Sequence, residues 1–548
     1  MYDTEFSVSL FFVFHLSLTL ILPSDILVVA IYFIMIQVET SAKQPVCQAR
    51  RITMTTLLHL QNGTDIRGIA LENEHALPIT LSKSSTQAIA VGFINWIAKM
   101  QTSFHSPMTL SIGTDSRLSG SQLKEWLTEV FVSYGIHVID VGLATTPAMF
   151  MSTVFPSYQA DAAIMITASH LPYFYNGFKF FTKDGGLEKH DITYILNHSD
   201  TTFFPKGKSS ISKRNLIADY SAHLIQKIRE ETNCALPLKG VHIIVDAGNG
   251  AGGFFVEQIL TPLGADTTGS QFLEPNGLFP NHIPNPENKE AMHSVSYAVT
   301  KHHADLGIIF DTDVDRAAIV LSDGKEVNRN RFIALLSAIT LEEHPQSVIV
   351  TDSVTSSGLA EFIQAHGGIH HRFKRGYRNV INEGIRINRE TDKPCYLAIE
   401  TSGHGAMAEN SFLDDGAYLV AKILISLSKW KQSGLTIEQI LSSLKEPAEE
   451  KEYRIPILHK NFKDYATAIL SDLQEYILNH KNYSVAPKNY EGLKILTPTG
   501  WFLIRISLHE PLLVLNMESN TEGGIQKDLE ILYEFFANYK YLNQNVLK

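Results

Sequence analysis

The chain has 548 residues, of which 44% are hydrophobic and 19% are charged. This length exceeds what one hydrophobic core supports and predicts three or four domains, and the composition is that of a globular rather than a disordered protein. The formal net charge of −11 gives no overall basic surface, so we expect no nucleic-acid partner. Three distant cysteines, Cys47, Cys234 and Cys395, form neither a metal-binding pattern nor a disulfide framework, which favours a reducing compartment.

The first 60 residues differ in character from the rest and are predicted to be a leader. Two apolar runs, residues 10–22 and 26–38, precede the first lysine or arginine. Basic and hydroxyl residues then follow Glu39, with no acidic residue until Asp65, as in organelle transit peptides. We expect a two-part plastid leader. The alternatives are a membrane anchor, or a misassigned gene start on a cytoplasmic protein, and membrane contact is expected only through this segment.

The globular part opens with a turn over residues 62–68, in which glycines flank Arg67. Such a turn can aim a guanidinium at a phosphate, which it binds as a fork; a solvated surface arginine is the alternative. After this turn the sequence predicts helices that alternate with strands, which indicates a βαβ unit and a mainly parallel sheet. The predicted elements are a helix over 89–100, a strand over 110–113, a helix over 119–134 and a strand over 136–142.

Ser169 follows a short apolar run, residues 162–166, that reads as a buried strand. A small polar segment at a strand end presents a hydroxyl at the mouth of a sheet. Ser169 is therefore a candidate nucleophile or phosphate carrier, an ordinary capping serine being the alternative. His170 adjoins it, and we expect that His170 either orients the serine or only packs.

A second block begins with a strand, a glycine-rich turn and a helix over residues 241–252, and its glycines lack the spacing of a dinucleotide loop. An apolar strand over 306–310 then leads into three alternating carboxylates, Asp311, Asp313 and Asp315. Carboxylate oxygens in such a group repel one another unless a divalent cation joins them, and Mg²⁺ prefers such ligands. A calcium loop of the EF-hand type is excluded, because its sixth position is not glycine and its twelfth is not glutamate.

Two further blocks complete the chain. A strand over 347–353, a helix over 356–366 and a strand over 397–399 continue the α/β pattern. The last block differs, with strands over 494–496, 500–507 and 512–517 and a helix over 526–538. The predicted fold is three consecutive α/β domains with mixed, mostly parallel sheets, plus a smaller α+β domain. Predicted boundaries after the leader are 61–235, 236–325, 326–451 and 452–548.

Four loops together resemble those of the α-D-phosphohexomutase family, which includes phosphoglucomutase and phosphomannomutase. In chain order they are a serine loop, a metal loop, a sugar loop and a phosphate loop, at residues 167–172, 311–316, 400–404 and 505–511. The resemblance runs from about residue 62 to the C-terminus. It implies a central cleft between the domains, a phosphoserine at Ser169 and Mg²⁺ bound by that residue and the three aspartates.

The resemblance also assigns roles to other residues. Lys179 is expected to act as a general acid or base, or only to neutralise phosphate charge. Glu400 and Ser402 suit the vicinal hydroxyls of a sugar, since a carboxylate accepts hydrogen bonds and a serine does either. The remaining expected ligand contacts are Arg316, Lys374, Gly376, His404, Arg505 and Ser507, with Arg67 beside the serine.

The implied activity is that of an isomerase acting by intramolecular phosphotransfer. It moves phosphate between C1 and C6 of a hexose through a hexose 1,6-bisphosphate, which also serves as activator, with glucose or mannose favoured and a plant or algal type expected. The partners are small hexose phosphates, with no obvious protein partner. Leu171, Leu508 and His509 depart from the family pattern, and they motivate two alternatives: a phosphosugar-binding pseudo-enzyme, or a phosphatase in which water intercepts the phosphoserine.

Overall fold

The computed structural model describes residues 57–100, 108–199, 209–507 and 510–547. The predicted leader therefore lies almost wholly outside the described residues, as do Leu508 and His509. Within the described ranges no helix is long and apolar enough to cross a membrane. The chain forms four sheets in succession, three with helices in α/β arrangement and a fourth, C-terminal one, which confirms the predicted fold class.

The first sheet has eight strands in the order β1-β2-β6-β5-β3-β4-β8, with β7 beside β6. Pairing is parallel from β5 through β3 and β4 to β8, and antiparallel from β5 through β6 to β1. The elements are β1 Gln61–Asn62, β2 Asp65–Ile69, α1 Lys83–Lys99, β3 Thr109–Thr114, α2 Gly120–Ser133, β4 His137–Leu143, α3 Thr146–Val154, β5 Ala162–Ile166, β6 Tyr175–Thr182, β7 Gly185–Gly186, α4 Lys189–Asn197, β8 Ile211–Lys213 and α5 Leu216–Thr232.

The second sheet has the order β12-β11-β10-β9 and is less parallel than the sequence predicts. Only β9 and β10 pair in parallel among its described strands, because the six-residue metal loop joins β10 to β11 as a hairpin and is too short for a crossover. The predicted helix after the glycine turn is a short π-helix, Val256–Leu260, and Pro262 limits its continuation. The elements are β9 Ile243–Asp246, α6 Lys289–His302, β10 Leu306–Phe310, β11 Ala317–Leu321 and β12 Glu326–Val327.

The third sheet, β14-β13-β15-β16-β17, is parallel around β13 and antiparallel beyond β15. Its elements are α7 Asn330–Glu343, β13 Val348–Thr351, α8 Ser357–Ala365, β14 Ile369–Arg372, α9 Tyr377–Glu390, β15 Cys395–Ile399, β16 Gly405–Met407, β17 Leu413–Asp414, α10 Gly416–Ser433 and α11 Ile437–Ile440. The fourth sheet, β18-β22-β21-β20-β19, is antiparallel. Its elements are β18 Glu449–Pro456, α12 Phe462–Leu478, β19 Ser484–Val485, β20 Leu493–Leu496, β21 Gly500–Ile506, β22 Leu512–Ser519 and α13 Gly524–Phe536.

One hydrophobic core joins the first three domains, since buried residues such as Met149, Phe255 and Leu335 belong to the same continuous cluster. The C-terminal domain has a core of its own. A small cluster of Val354, Trp501 and Leu503 connects it to the third domain. The first three domains are therefore built as one body, which brings the ends of strands from different domains together.

Candidate active site

The serine loop begins where the fully buried strand β5 ends. Ser169 is only 3% exposed and has a φ of 51°, a left-handed conformation that is uncommon for a residue with a side chain. Its backbone N–H donates to Oγ1 of Thr167 at 2.9 Å. The local turn thus directs the hydroxyl of Ser169 away from its own sheet and toward the second domain.

The metal loop meets this hydroxyl. Asp311, Asp313 and Asp315 are at most 1% exposed, and one ligand oxygen from each lies within 4.8 Å of the others. The hydroxyl of Ser169 donates to Oδ2 of Asp311 at 3.1 Å. The hairpin between β10 and β11 forces all three carboxylates into this small space, because its ends are held by the pair Phe310 and Ala317.

Two buried cations balance the carboxylates. Arg316 is 2% exposed, and its Nη2 donates to Oγ of Ser169 at 2.9 Å while its Nε donates to Oδ2 of Asp311 at 3.1 Å. Lys179, on β6, places Nζ 3.0 Å from Oδ2 of Asp313 and 2.5 Å from Oδ2 of Asp315. The guanidinium therefore bridges the serine and the metal loop, and the lysine crosses the domain boundary.

The unpaired oxygens of this cluster fit a divalent cation. Oδ1 of Asp313 and Oδ1 of Asp315 are buried and have no hydrogen-bond partner within the described ranges. Burial and the nearby Asp315 raise the pKa of Asp311 well above its ordinary value, which shows how costly a third uncompensated charge is here. Hard oxygen donors that lack a proton donor are what Mg²⁺ uses, so this acidic group can bind the metal on which the family depends.

The amine of Lys179 stays protonated in this environment. Burial acts to lower its pKa, but Asp313 and Asp315 outweigh burial and raise the pKa well above its ordinary value. The same lysine, with His404 and Arg316, outweighs burial at Asp315 and lowers the pKa of that carboxyl. With its partners in this arrangement Lys179 carries a proton and offsets the charge of the two carboxylates.

His170 lies against the same groups. Its Nδ1 accepts from Nη2 of Arg316 at 2.8 Å and is 3.3 Å from Oγ of Ser169. An arginine can only donate, so Nδ1 of His170 carries no proton. Burial, then Arg316 and Arg67, lower the pKa of His170 to about 2, so the ring is neutral.

Arg67 lies on β2, opposite Gly177 of β6. Its Nη2 donates to Oδ2 of Asp65 at 2.8 Å. A Cβ on Gly177 would lie 3.1 Å from Cγ of Arg67 and 2.9 Å from the carbonyl oxygen of Thr167 in the serine loop. The structure therefore brings Arg67 to the serine end of the cleft, where its direct partner is a carboxylate of the same strand.

The sugar loop follows the end of β15. Glu400 is 5% exposed; its Oε1 accepts from the N–H of Gly376 at 2.6 Å and its Oε2 from Oγ of Ser402 at 3.1 Å. Gly376 has a φ of 108°, a conformation that favours glycine and turns its N–H toward the carboxylate. Burial and the neighbouring Asp352 raise the pKa of Glu400 to about 7. The three predicted residues thus form one hydrogen-bonded unit.

His404 links the sugar loop to the metal loop. Its Nδ1 lies 2.6 Å from Oδ2 of Asp414 and 3.8 Å from Oδ1 of Asp315. Burial acts to lower its pKa, but Asp414 and Asp315 outweigh it and raise the pKa to about 9, so His404 is a cation. Its ring stacks on Tyr377 with centroids 4.9 Å apart, and Oη of Tyr377 is 3.1 Å from Oγ1 of Thr64 in the first domain.

The turn before Gly376 places two basic residues differently. Lys374 is exposed, with Nζ 5.5 Å from the ring centre of Phe373. Arg375 is partly buried, and its Nε lies 3.7 Å from Oδ2 of Asp352. Glu400 also contributes to the raised pKa of Arg375. Arg375, rather than the predicted Lys374, is therefore the residue that the described contacts bring to the sugar loop.

Arg505 and Ser507 lie at the end of β21 in the C-terminal domain. Nε of Arg505 is buried and has no hydrogen-bond partner among the described residues. Burial lowers the pKa of Arg505; Glu491 opposes this lowering, and the charge of Arg375 adds to it. Oγ of Ser507 accepts from the N–H of Glu510 at 3.3 Å. Neither residue contacts the serine loop or the metal loop in the part of the chain that the structure describes.

Sequence reasoning missed several residues of this cleft. Oγ1 of Thr146, at the start of α3, donates to Oδ2 of Asp313 at 2.5 Å. Tyr377 and Asp414 hold His404 as described above, and Asp352 accepts from Oγ1 of Thr401 at 2.6 Å. Many sequences without an active site contain a threonine before a proline, or a single acidic residue at the end of a strand. The sequence therefore has no motif that would have singled out these residues.

Three protein-family models match consecutive parts of the chain. They describe "Phosphoglucomutase/phosphomannomutase, alpha/beta/alpha domain" I, II and III, over residues 59–204, 218–324 and 328–447 respectively. Together the matches span more than half of the chain, in the order of the three sheets. The chain belongs to the phosphoglucomutase/phosphomannomutase family. The recognition made from the four loops is thereby confirmed.

Individual members of the family are similar over most of their length. A phosphomannomutase/phosphoglucomutase of Pseudomonas syringae is 30% identical over 420 residues, which are 76% of this chain and 84% of the relative. A phosphoglucomutase of Neisseria gonorrhoeae is 28% identical over 421 residues, 76% of this chain and 86% of the relative. A phosphoglucomutase/phosphomannomutase family protein of Burkholderia thailandensis has the same fold, with a TM-score of 0.71 and 24% identity over 88% of this chain and 98% of that structure.

Proposed function

We propose that the chain is a phosphohexomutase, which interconverts a hexose 1-phosphate and a hexose 6-phosphate through a phosphoserine at Ser169 and a hexose 1,6-bisphosphate. One observation carries the proposal. The hydroxyl of Ser169 lies 3.1 Å from a carboxylate of the metal loop, although 142 residues separate them. This contact brings a candidate phosphate carrier at the end of one sheet next to an acidic cation site at the end of another. A purely structural protein has no need of such a pair.

The residues around Ser169 suit a group that carries negative charge. A phosphate on its Oγ brings about −1.5 to −2 charges. Arg316 already donates to that oxygen, and Lys179 lies beside the neighbouring carboxylates. Mg²⁺, which Asp311, Asp313 and Asp315 would hold together with the phosphoserine, supplies further neutralisation of the transferring group.

Proton positions in the cleft agree with phosphoryl transfer to and from a hydroxyl. When Ser169 carries no phosphate, its hydroxyl donates to Asp311. His170 stays neutral beside this hydroxyl, because the single lone pair of its Nδ1 accepts from Nη2 of Arg316. The serine oxygen is thus held between one acceptor for its proton, Asp311, and one permanent cation, Arg316, so that transfer depends mainly on positioning and charge stabilisation.

We assign recognition of the sugar to Glu400 and Ser402. Each oxygen of Glu400 already accepts one hydrogen bond and keeps a further lone pair, and Ser402 can donate or accept. Vicinal hydroxyls look alike when a hexose is turned end for end, so one carboxylate can hold both orientations. We assign the phosphate far from Ser169 to Arg375, Arg505 and Ser507.

We further propose that a hexose 1,6-bisphosphate loads phosphate onto Ser169, and that glucose and mannose phosphates are the substrates. The supporting observation is that relatives in Pseudomonas and Neisseria bear the names phosphomannomutase and phosphoglucomutase. A plastid address through residues 1–60, and a plant or algal origin, also stay proposals. Fusion of residues 1–60 to a fluorescent protein in plant cells tests the address, and cytoplasmic fluorescence would contradict it.

The function is tested with the full chain, Mg²⁺, a trace of glucose 1,6-bisphosphate, and glucose 1-phosphate or mannose 1-phosphate. Formation of the 6-phosphate is measured for the wild type, for Ser169→Ala and for Ser152→Ala. Ser152 is a matched control, because it is fully buried in the same domain and donates only to the carbonyl of Met149. We expect the product with the wild type and the control and none with Ser169→Ala. Free phosphate without isomer would indicate a phosphatase, and absence of both products a binding protein.

A further inference from the structure

Arg117 has an unusual set of hydrogen bonds. It lies in the turn between β3 and α2, and its side chain has no exposed surface. Its Nη1 donates to the carbonyl oxygens of Pro172 at 2.8 Å and Tyr175 at 2.9 Å. Its Nη2 donates to those of Ser169 and Leu171, both at 2.5 Å. One guanidinium thus holds three carbonyls of the serine loop and that of Tyr175 at the start of β6, all more than 50 residues away along the chain.

A second set of contacts fixes the start of the same loop. Oγ1 of Thr167 donates to Oδ2 of Asp115 at 2.7 Å and accepts from the N–H of Ser169 at 2.9 Å. Asp115 also faces Nε of Arg117 at 3.3 Å. The loop is therefore held at both of its ends by one Asp–Arg pair. These anchors explain how Ser169 keeps a left-handed conformation that its own side chain disfavours.

The second domain covers this pair. The ring centre of Phe279 lies 5.2 Å from Cζ of Arg117. A Cβ on Gly277 would come within 2.8 Å of Cα of Arg117, so only glycine allows so close an approach. Hydrogen bonds to a buried guanidinium are not exchanged for bonds to water, and we expect them to hold the loop firmly.

Arg117 has no described contact with the metal loop or the sugar loop. Its partners are main-chain oxygens, together with Asp115 and the Phe279 ring. The residue at position 171 therefore takes part through its carbonyl, whatever its side chain. This matters because Leu171 departs from the family pattern, which has asparagine there.

We propose that Arg117 is a positioning residue for phosphoryl transfer: it shapes the serine loop through four carbonyls, so that Oγ of Ser169 stays in reach of Asp311 and Arg316. The same recognition of the main chain lets the loop keep its shape with leucine at position 171. The catalytic part of this inference rests on the proposed function, whereas the shape of the loop does not.

The test compares Arg117→Lys with Arg229→Lys in the full chain. A lysine keeps the charge but cannot bond four carbonyls at once. Arg229 is a matched control, because it also holds two carbonyls, those of Ala235 at 3.0 Å and Pro262 at 2.8 Å, far from the serine loop. Three quantities are measured: hydrogen exchange of the amides of residues 168–175, phosphorylation of Ser169 by glucose 1,6-bisphosphate, and the kinetic constants for glucose 1-phosphate.

We expect Arg117→Lys to lower kcat by about 100-fold, as for an ångström-scale misplacement of a reacting group. KM should change less than kcat, since the sugar contacts lie on another domain, and the loop amides should exchange faster. Arg229→Lys should match the wild type in all three quantities. An unchanged kcat and unchanged exchange, or a change in KM alone, in Arg117→Lys would overturn the proposal.

The role of Arg117 can still be tested if the wild type is inactive or if Arg117→Lys does not fold. If the wild type forms no 6-phosphate, the proposed function fails, yet exchange of the loop amides still tests whether Arg117 shapes the loop. If Arg117→Lys does not fold, Phe279→Ala replaces it, because this partly exposed ring only covers the guanidinium. Faster exchange of the loop with a lower kcat in Phe279→Ala supports the proposal, and no change in either contradicts it.

Discussion

Replacement of Lys179 by methionine tests the charge balance of the cleft. Lys179 is 5% exposed and lies between Asp313 and Asp315, which are 0% and 1% exposed. Removing one partner of a buried ion pair costs about 3–5 kcal/mol, because the other charge stays buried and unpaired. For a domain of roughly 150–250 residues, that loss of stability lowers the midpoint of thermal unfolding by roughly 6–20 °C when Mg²⁺ is absent.

Added Mg²⁺ should reverse much of this loss. The metal replaces the positive charge of the lost lysine, so Mg²⁺ binding should raise the unfolding midpoint more in Lys179→Met than in the wild type. A ligand at a hundred times its dissociation constant adds about 2.7 kcal/mol to the free energy of unfolding. Unfolding is followed by calorimetry with a chelator and then with Mg²⁺.

Lys422→Met is the control for this experiment. Lys422 is 1% exposed and lies 2.9 Å from Glu343 and 3.0 Å from Glu409, far from the metal loop. It should lose stability without gaining extra response to Mg²⁺. If Lys179→Met is as stable as the wild type in chelator, or if Mg²⁺ raises the midpoints of all three proteins equally, Lys179 does not balance the charge of the metal loop.

Three other predictions concern the sugar loop. Burial and Asp352 raise the pKa of Glu400 to about 7, so the folded chain binds this proton more tightly than the unfolded chain and loses stability as the pH rises from about 4.5 through 7. The glutamine of Glu400→Gln does not titrate. The free energy of unfolding of this variant, relative to that of the wild type, should therefore rise by roughly 2–3 kcal/mol between pH 5 and pH 8 in chelator. If the two proteins show parallel curves of stability against pH, this prediction is wrong. Arg375→Met should raise KM for hexose phosphate at least about tenfold, in line with a lost charge-assisted hydrogen bond, whereas Lys374→Met should leave it nearly unchanged, and the reverse order would show that Lys374 is the ligand contact. Gly376→Ala should be destabilised by about 1–3 kcal/mol in chemical unfolding, because a φ of 108° strains any side chain; unaltered stability would rule out that strain.

The elements and loops of the site were predictable because each follows a short apolar run. β5 and β10 are buried at all five residues and β15 at four of its five, and polar residues begin directly after each strand. Ligands collect at such strand ends. Three loops at the ends of buried strands could therefore be expected to meet, and the distance of 3.1 Å from Ser169 to Asp311 agrees with that expectation.

Other features depend on the direction of single side chains, which a sequence pattern does not contain. Lys374 and Arg375 are adjacent bases in one turn, yet Lys374 is exposed whereas Nε of Arg375 lies 3.7 Å from Oδ2 of Asp352. The contacts of Arg117 with the serine loop likewise depend on how β3 and β5 lie side by side. The sequence predicts a helix after the glycine turn, but it does not indicate that this helix is a short π-helix, Val256–Leu260, followed by a turn that contains Pro262.

A phosphohexomutase of this kind requires that Ser169 carries phosphate and returns it to the sugar. The full chain is incubated with glucose 1,6-bisphosphate, freed of small molecules and mixed with glucose 1-phosphate, and the phosphate on the peptide that contains Ser169 is followed by mass spectrometry. We expect Ser169 to gain one phosphate, and glucose 1-phosphate then to remove it as glucose 1,6-bisphosphate. If phosphate never appears on Ser169, or leaves it only as inorganic phosphate, Ser169 is not the phosphate carrier of a mutase.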